Sequence, residues 1–247
     1  MIHEYGLIGY PLSHSFSQKY FTEKFQREDI ANAVFNAFPI PSIDDLPQLL
    51  KTHPLLKGFC ITIPYKRDII KYLTHTTAAV NAMNACNCVC INEGKLYGYN
   101  TDVTGFELSF IKQLKPHHTK ALILGTGGGA SAVEYVLSKL NIAYRFVSRS
   151  KADNVFGYDE LSENIIKDYT VIINCTPLGM YPNVNDAPSI PYHLFTPQHY
   201  LFDLVYNPSK TKFLSLGEEH GAAIQNGYEM LVLQAEENWK LWNEDNY

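Results

Sequence analysis

Short apolar runs alternate with helical patterns along most of the chain. Runs that predict strands cover residues 5–9, 33–38, 58–63, 120–124, 144–148, 171–174 and 200–205, and helical spacing covers 18–27, 44–52, 68–73, 104–114, 130–140 and 228–242. Two further runs, 86–91 and 95–99, predict a hairpin around Asn92-Glu93-Gly94. Strands that alternate with helices are typical of an α/β fold with a largely parallel sheet.

The pattern divides near residue 102 into two domains. A second strand–helix–strand pattern starts at residue 120, and the last helix carries an apolar stripe at positions 231, 232, 235, 239 and 242. We predict one domain of residues 1–101 and 226–247, and a second of residues 102–225. In the second domain, residues 151–154 are too few for a crossover helix, which needs about a dozen. Either the next strand is lost from the sheet or its connection is not helical.

Composition narrows the class of protein. The chain has 247 residues, a net charge of −5 and no basic cluster, which argues against a nucleic-acid partner. No apolar stretch is long enough to span a membrane, and the first residues lack the features of a secretory signal. The five cysteines, an odd number, indicate reduced thiols. These features predict a cytoplasmic protein with a small-molecule substrate and no membrane partner, as a monomer or a homodimer.

Three of the cysteines, Cys86, Cys88 and Cys90, alternate along one predicted strand and would share one face. A metal site is one interpretation, but no histidine joins them at a usual ligand spacing. We therefore predict three small buried side chains and no metal.

A glycine-rich turn leaves the strand at 120–124 and opens the next helix. It consists of Gly125, Thr126, Gly127, Gly128 and Gly129. Glycines let the backbone approach a pyrophosphate closely, and the helix N-terminus supplies N–H groups and a positive dipole end. We predict a dinucleotide site here, with a plain strand–helix turn as the alternative.

The end of the following strand indicates which dinucleotide binds. Ser148, Arg149 and Ser150 occupy the place where an NAD enzyme usually has an acid that bonds the ribose hydroxyls. A guanidinium group with neighbouring hydroxyls suits a 2′-phosphate. We predict NADP as the cofactor, and a solvated basic loop is the alternative interpretation.

Candidate catalytic groups follow the apolar runs of the first domain. Lys66 comes after Thr62-Ile63-Pro64-Tyr65 and can exchange a proton, and Asp102 can orient the lysine and bond a substrate hydroxyl. Ser15 and Ser17 lie two apart, so in an extended loop both hydroxyls face one way and can receive a carboxylate. We assign His14 to packing, since no sequence partner supports a role as general base.

The ordered set of motifs resembles the shikimate dehydrogenase family over nearly the whole chain. The matching segments are Gly9-Tyr10-Pro11-Leu12-Ser13-His14-Ser15-Phe16-Ser17, Thr62-Ile63-Pro64-Tyr65-Lys66, Asn87, Asn100-Thr101-Asp102, Gly125-Thr126-Gly127-Gly128-Gly129-Ala130, Ser148-Arg149-Ser150, Asn174-Cys175-Thr176-Pro177-Leu178-Gly179-Met180, Asp203-Leu204-Val205-Tyr206-Asn207-Pro208, Asn226-Gly227 and Met230-Leu231-Val232-Leu233-Gln234-Ala235.

The resemblance implies a substrate-binding α/β domain and a Rossmann-like NADP-binding domain, the latter with a shortened crossover after its second strand. It implies reversible, NADP-dependent reduction of 3-dehydroshikimate to shikimate, a step of chorismate biosynthesis. Lys66 and Asp102 would form the catalytic pair. Substrate would also contact the carboxylate-binding Ser15, Ser17 and Tyr206, and the hydroxyl-binding Thr62, Asn87, Asp102 and Gln234.

The family resemblance also implies the cofactor contacts. Residues Gly125, Thr126, Gly127, Gly128, Gly129 and Ala130 would cradle the pyrophosphate. Ser148, Arg149 and Ser150 would form the adenine-side loop, with Arg149 at the 2′-phosphate. The nicotinamide would be lined by Thr176, Pro177, Leu178, Met180, Val205, Gly227 and Met230.

The chain departs from the family pattern at several positions. Cys60 stands where the family usually has Asn, and Asp153 lies near the place of a second basic residue in the cofactor loop. Two alternatives stay open. One is a quinate or quinate/shikimate dehydrogenase of the same family, and the other is a non-catalytic ligand-binding regulator on the same fold.

Overall fold

A computed structural model of the chain describes residues 2–12, 16–150 and 154–244. The chain forms two compact units, Met1–Thr101 with Gln234–Tyr247, and Asp102–Leu233. Residues 226–233 therefore group with the second unit, whereas the sequence pattern assigns them to the first. No helix among the described residues is long and apolar enough to cross a membrane.

The first unit is built on a six-stranded mixed sheet. Its elements are β1 (His3–Gly9), α1 (Phe16–Arg27), β2 (Ala33–Pro39), α2 (Leu46–Thr52), β3 (Leu56–Ile61), β4 (His75–Thr76), α3 (Ala78–Met83), β5 (Cys88–Asn92) and β6 (Lys95–Tyr99), and the strand order is β2-β1-β3-β5-β6-β4. Strand β1 runs parallel to β2 and β3, whereas the hairpin β5–β6 joins β3 in the antiparallel direction. The hairpin makes this sheet mixed rather than largely parallel.

Apolar residues cover both faces of the first sheet, as the alternation along β1 shows. Ile8 packs with Phe59 and Val89 on one face, and Tyr5 and Leu7 pack on the other. Strand β1 is therefore buried on both sides, which is why its sequence reads as a continuous apolar run.

The prediction that three cysteines share one face was wrong for one of them. Cys88 and Cys90 lie in the core cluster that contains Leu7, but Cys86 lies in the cluster on the opposite face. The reason is that β5 begins at Cys88, so strand alternation does not extend back to Cys86. Among the described residues, no group of three or more His, Cys, Asp or Glu residues is arranged to hold a metal ion.

The second unit is built on a parallel six-stranded sheet. Helix α4 (Thr101–Phe110) leads into it. The elements that follow are β7 (Lys120–Leu124), α5 (Gly128–Lys139), β8 (Ala143–Val147), β9 (Val155–Phe156), α6 (Glu163–Asp168), β10 (Val171–Asn174), β11 (Tyr200–Asp203), α7 (Lys212–Glu219) and β12 (Ala223–Asn226). Helix α8 (Tyr228–Asn243) begins in this unit, and its residues from Gln234 onward belong to the first. The strand order is β12-β11-β10-β7-β8-β9, so the order reverses between β10 and β7, as in a doubly wound Rossmann sheet.

The connection from β8 to β9 resolves the alternative left open by the sequence. Strand β9 is retained and pairs in parallel with β8 through Phe146–Val155 and Val147–Phe156. The described residues of the connection, 148–150 and Asn154, are not helical. The crossover is therefore short and the strand survives as two residues at the edge. The predicted fold class, with its shortened crossover, is confirmed.

Candidate functional site

The glycine-rich turn lies at the point where the strand order of the second unit reverses. Gly125 follows β7 and Cys175 follows β10, and these two strands are parallel neighbours. Ligands of open α/β sheets bind at this position, because the loops after the two strands diverge and leave a crevice.

The backbone of the turn requires glycine at its first position and leaves space at later ones. Gly125 has φ of +90°, a region that side chains with a Cβ rarely adopt. A Cβ at Gly127 would have its nearest neighbour at 3.9 Å, and one at Gly128 would meet nothing within 4 Å. The open space beside these two residues fits a pyrophosphate against the N-terminus of α5.

A pocket of about 570 Å³ extends from this turn. Its lining residues are Gly125, Thr126, Gly127, Ser148, Arg149, Tyr158, Cys175, Thr176, Pro177, Leu178, Ala187 and Ser189. Arg149 stands on the side of the pocket formed by the loop after β8, and no acid among the described residues of that loop opposes it. The pocket thus combines an anion-binding helix end with a guanidinium group, which fits a dinucleotide with a 2′-phosphate.

Tyr158 completes the same side of the pocket. Burial raises the pKa of its hydroxyl, and the charge of Arg149 acts in the opposite direction. The short connection after β8 brings Tyr158 to this position two residues after β9. An aromatic ring and a guanidinium group therefore line this side of the pocket, next to the place where a longer crossover would lie.

A second pocket of about 370 Å³ shares Cys175, Thr176 and Pro177 with the first. Its other lining residues are Met180, Tyr181, Leu204, Val205, Tyr206 and Asn207. The shared residues lie in the loop after β10, so the two pockets are neighbours, one beside the glycine turn and the other beside the loop after β11. We call the two pockets together the dinucleotide groove.

Two buried polar side chains hold the loops along this groove. Asn174 and Asp203 are register partners at the ends of β10 and β11, and Asn174 Nδ2 donates to Asp203 Oδ1 at 2.9 Å. Asn174 Oδ1 accepts from the Thr176 backbone N–H at 3.0 Å. Asp203 Oδ1 also accepts from Val205 N at 3.0 Å, and Asp203 Oδ2 accepts from Thr211 Oγ1 at 2.5 Å. The Asn174–Asp203 pair thereby fixes both the loop at Thr176, after β10, and the loop at Val205, after β11.

Other residues predicted for the cofactor surround the groove. Gly128, Gly129 and Ala130 form the first turn of α5, and Ala130 is buried beneath it. Ser150 donates its backbone N–H to Ser148 Oγ at 3.2 Å, which shapes the loop before the groove. Gly227 packs closely against the groove residue Leu204, since a Cβ at Gly227 would come within 2.2 Å of the Leu204 carbonyl oxygen, and Met230 is buried.

In the first unit, a tight turn after β3 presents Thr62 and Lys66. Tyr65, buried between them, donates its hydroxyl to the Ile40 carbonyl at 2.7 Å and anchors the turn to the core. The Lys66 carbonyl accepts from Cys86 N at 2.8 Å, so the lysine lies beside the chain that leads into β5. Lys66 itself is half-buried.

Asn87 lies next to this turn, since its carbonyl accepts from Ile61 N at 2.9 Å. Its side-chain oxygen accepts from Thr101 N at 2.7 Å, at the beginning of α4. A backbone N–H can only donate, so Asn87 must face Thr101 with its oxygen and turn its amide nitrogen away. Asn87 therefore offers two donors on its other side.

Ser17 lies in the first turn of α1, and the extended loop that the sequence predicts at this residue is wrong. The loop before α1 starts at the end of β1, and a Cβ at Gly9 would come within 2.5 Å of Thr62 Cγ2. The ends of β1 and β3 thus lie side by side. Ser15 and His14 lie outside the described residues, as does Asp153.

Three predicted residues belong to other elements. Asp102 is half-buried in the first turn of α4, where a carboxylate is favoured by the helix dipole. Gln234 is buried in α8, and Tyr206 is partly exposed in the dinucleotide groove.

Several groove residues were not predicted from the sequence. Cys175, Leu204 and Asn207 lie within the quoted family segments, so their neighbours in the sequence indicated them. Tyr158, Tyr181, Ala187 and Ser189 had no such signal, because Tyr158 begins a short 3₁₀ helix and the other three lie in loops.

The reversed strand order, the glycine turn and the groove define a dinucleotide-binding protein with a second α/β unit. Residues 7–89 match the family described as the shikimate dehydrogenase substrate binding domain. The NADP(+) shikimate dehydrogenase of Clostridium beijerinckii is 35% identical, and the match covers 97% of this chain and 92% of that protein.

Solved structures agree with these sequence matches. A chorismate mutase/shikimate 5-dehydrogenase fusion protein from Clostridium acetobutylicum has a TM-score of 0.86 at 32% identity, covering 100% of this chain and 94% of that one. The shikimate 5-dehydrogenase of Thermus thermophilus, in complex with NADP(H) and shikimate, has a TM-score of 0.83 at 25% identity, covering 98% of this chain and 94% of that one. The chain belongs to the shikimate dehydrogenase family.

The buried carboxylate of Asp203 provides a test of how the groove loops are held. Burial raises the pKa of Asp203 to about 6, against three donated hydrogen bonds that lower it. Because all three partners donate, Asp203→Asn would turn an N–H toward a donor and should lower the free energy of unfolding by roughly 1–3 kcal/mol at pH 7.5. Urea unfolding followed by circular dichroism would measure the loss.

The pH dependence of that loss has a definite sign. A carboxyl group with a raised folded pKa contributes most stability below its unfolded value of 3.8, and this contribution fades as the pH rises through about 6. The loss of unfolding free energy in Asp203→Asn, relative to the wild type, should therefore be larger at pH 5 than at pH 7.5. It should change by no more than ~1.4 kcal/mol per pH unit. The exposed Asp168→Asn is the control, and a deficit that shrinks at pH 5 would contradict the assignment.

Proposed function

We propose that this protein reduces 3-dehydroshikimate reversibly to shikimate, with NADP as its cofactor. The observation that supports this best is a similarity that runs through both units, at 35% identity over 97% of the chain to a shikimate dehydrogenase (NADP(+)). The protein is an oxidoreductase. Its cofactor is NADP, consistent with Arg149 in the groove and with the space beside Gly127 and Gly128.

The cofactor, when bound, supplies or accepts the hydride at the ring carbon that bears the reacting oxygen. The protein must move one proton at that oxygen to balance the reaction. We assign this proton transfer to Lys66, which donates it when the ketone is reduced and takes it back in the reverse direction. Asp102 accepts a hydrogen bond from the substrate and orients the lysine.

The remaining substrate contacts follow from the chemistry of each group. Ser17 is in the first turn of α1, where hydroxyl and backbone N–H groups favour an anion, and we assign it with Ser15 and Tyr206 to the substrate carboxylate. Thr62, Asn87 and Gln234 are assigned to the ring hydroxyls. The turn that holds Thr62 and Lys66 is anchored by the buried Tyr65, so these groups need little ordering when substrate binds.

The activity itself is tested by mixing the purified protein with shikimate and NADP and following NADPH absorbance. Shikimate-dependent NADPH formation supports the proposal, whereas faster turnover of quinate would assign the protein to the quinate branch of the family. Shikimate binding without turnover would favour the non-catalytic alternative.

Cytoplasmic location is also proposed, because all five cysteines are free thiols.

Removal of the proposed proton donor tests the mechanism. Lys66→Ala should lower kcat by ~10²–10⁴-fold, because a positioned acid–base group contributes about that much, while shikimate affinity changes less. Asp102→Asn should lower kcat and also weaken shikimate binding. Steady-state kinetics with both substrates would measure these effects.

The exposed Lys95→Ala is the matched control for Lys66→Ala. It removes a lysine from the same unit and should leave kcat unchanged. If Lys66→Ala keeps nearly the full kcat, the lysine only binds substrate and another group must move the proton.

Cofactor selectivity tests the assignment of Arg149. Arg149→Ala should weaken NADP binding by roughly 1.5–3 kcal/mol, or about ten- to one-hundredfold in Kd, and should affect NAD far less. Arg145→Ala is the control, since Arg145 lies on β8 and bonds Asn154. A change of selectivity in Arg145→Ala but not in Arg149→Ala would assign the contact with the 2′-phosphate to Arg145.

A further inference from the structure

Asn238 in α8 is a buried polar residue that no predicted motif contains. Its side chain is fully shielded from solvent. Asn238 Oδ1 accepts from Thr101 Oγ1 at 2.6 Å, and Nδ2 donates to Gln234 Oε1 at 3.3 Å and to Cys60 Sγ at 3.2 Å. A buried amide is costly unless its groups are bonded, and here both N–H groups and the oxygen have partners.

The amide joins two of the residues assigned to the substrate. On one side it holds Gln234 directly, one helical turn away on α8. On the other side it holds Thr101, whose backbone N–H donates to Asn87 Oδ1 at 2.7 Å. Gln234 and Asn87 are thereby linked through a chain of buried hydrogen bonds with Asn238 at its centre.

The direction of these bonds fixes which atoms the two amides present. Asn87 faces Thr101 with its oxygen, because a backbone N–H can only donate. Gln234 faces Asn238 with its oxygen, which turns its amide nitrogen to the opposite side. Both side chains are then oriented to present N–H donors.

We infer that Asn238 is a positioning residue that sets Gln234 and Asn87 as paired hydrogen-bond donors toward the substrate ring. This rests on the proposed function and deepens it. Ring hydroxyl oxygens accept from the two amides, and each hydroxyl proton is left to bond an acceptor such as the Asp102 carboxylate. A ligand that lacks a hydroxyl at either position leaves an amide donor unpaired and binds less well.

The contact with Cys60 links the Asn238 side chain to the sheet of the first unit. Cys60 lies on β3, directly before the segment that leads to Thr62, and its sulfur is a weak acceptor. The Asn238 side chain therefore bonds partners on three separate elements, namely its own helix α8, strand β3 and the start of α4. One amide thus ties the helix that carries Gln234 to the sheet that carries the substrate-binding turn.

A double-mutant cycle tests this role. We expect Asn238→Ala to raise the KM and Kd for shikimate about tenfold, with kcat changed less than about threefold and the KM for NADP unchanged. In a Gln234→Ala background, the same change should raise KM clearly less than it does in the wild type, since one of the two residues through which Asn238 acts is already gone. Calorimetry with shikimate would give Kd, and thermal unfolding would verify that each variant folds.

Two further variants keep the result decisive. Asn243→Ala removes another asparagine of α8, whose Nδ2 donates to the Trp239 carbonyl at 2.7 Å, and should leave shikimate binding unchanged. Asn238→Ser enters the same cycle if Asn238→Ala does not fold. The inference is overturned if the Asn238 effect is equal in both backgrounds, or if the KM for NADP rises as much as that for shikimate.

The wild-type protein separates this inference from the proposed function. If it forms NADPH from shikimate but the cycle is additive, only the positioning role fails. If the wild type neither turns over nor binds shikimate, the proposed function fails and the inference fails with it.

Discussion

Buried asparagine side chains hold the functional loops of both units. In the second unit, Asn174 accepts from the Thr176 backbone and donates to Asp203, so the loops after β10 and β11 share one polar core. In the first, Asn87 accepts from the Thr101 backbone at the start of α4. An amide can accept and donate at once, and it carries no charge that would be costly to bury. The binding groups are rigid because of these internal bonds.

Local patterns in the sequence accounted for most of the fold. The three central strands of the second unit, β7, β10 and β11, are largely apolar because they are buried, and the glycine turn marks where β7 ends. Short elements of two to eight residues were missed, namely β4, α3, α6, α7 and β12. The face assigned to Cys86 failed because alternation holds only within a strand and β5 starts two residues later.

The site was predictable to the extent that its residues lie in contiguous segments. Lys66 and Asn87 were named from such segments, and the hydrogen bonds around them explain how their backbones are held. Tyr158 and Ser189 were not, because their place in the groove depends on how irregular loops return to the sheet. The role of Asn238 could not be predicted for a different reason. The sequence pattern shows only that Asn238 lies in a helix, and its hydrogen-bond partners are known only from the fold.

The two-residue strand β9 has a consequence for self-association. An exposed strand edge offers a row of backbone N–H and C=O groups to which another chain can add. Strand β9 offers only Val155 and Phe156, and the uncovered part of β8 beside it carries Arg145, whose charge opposes the approach of a second strand. The short crossover therefore leaves no long, flat strand edge at β9, and aggregation through this edge of the sheet is disfavoured.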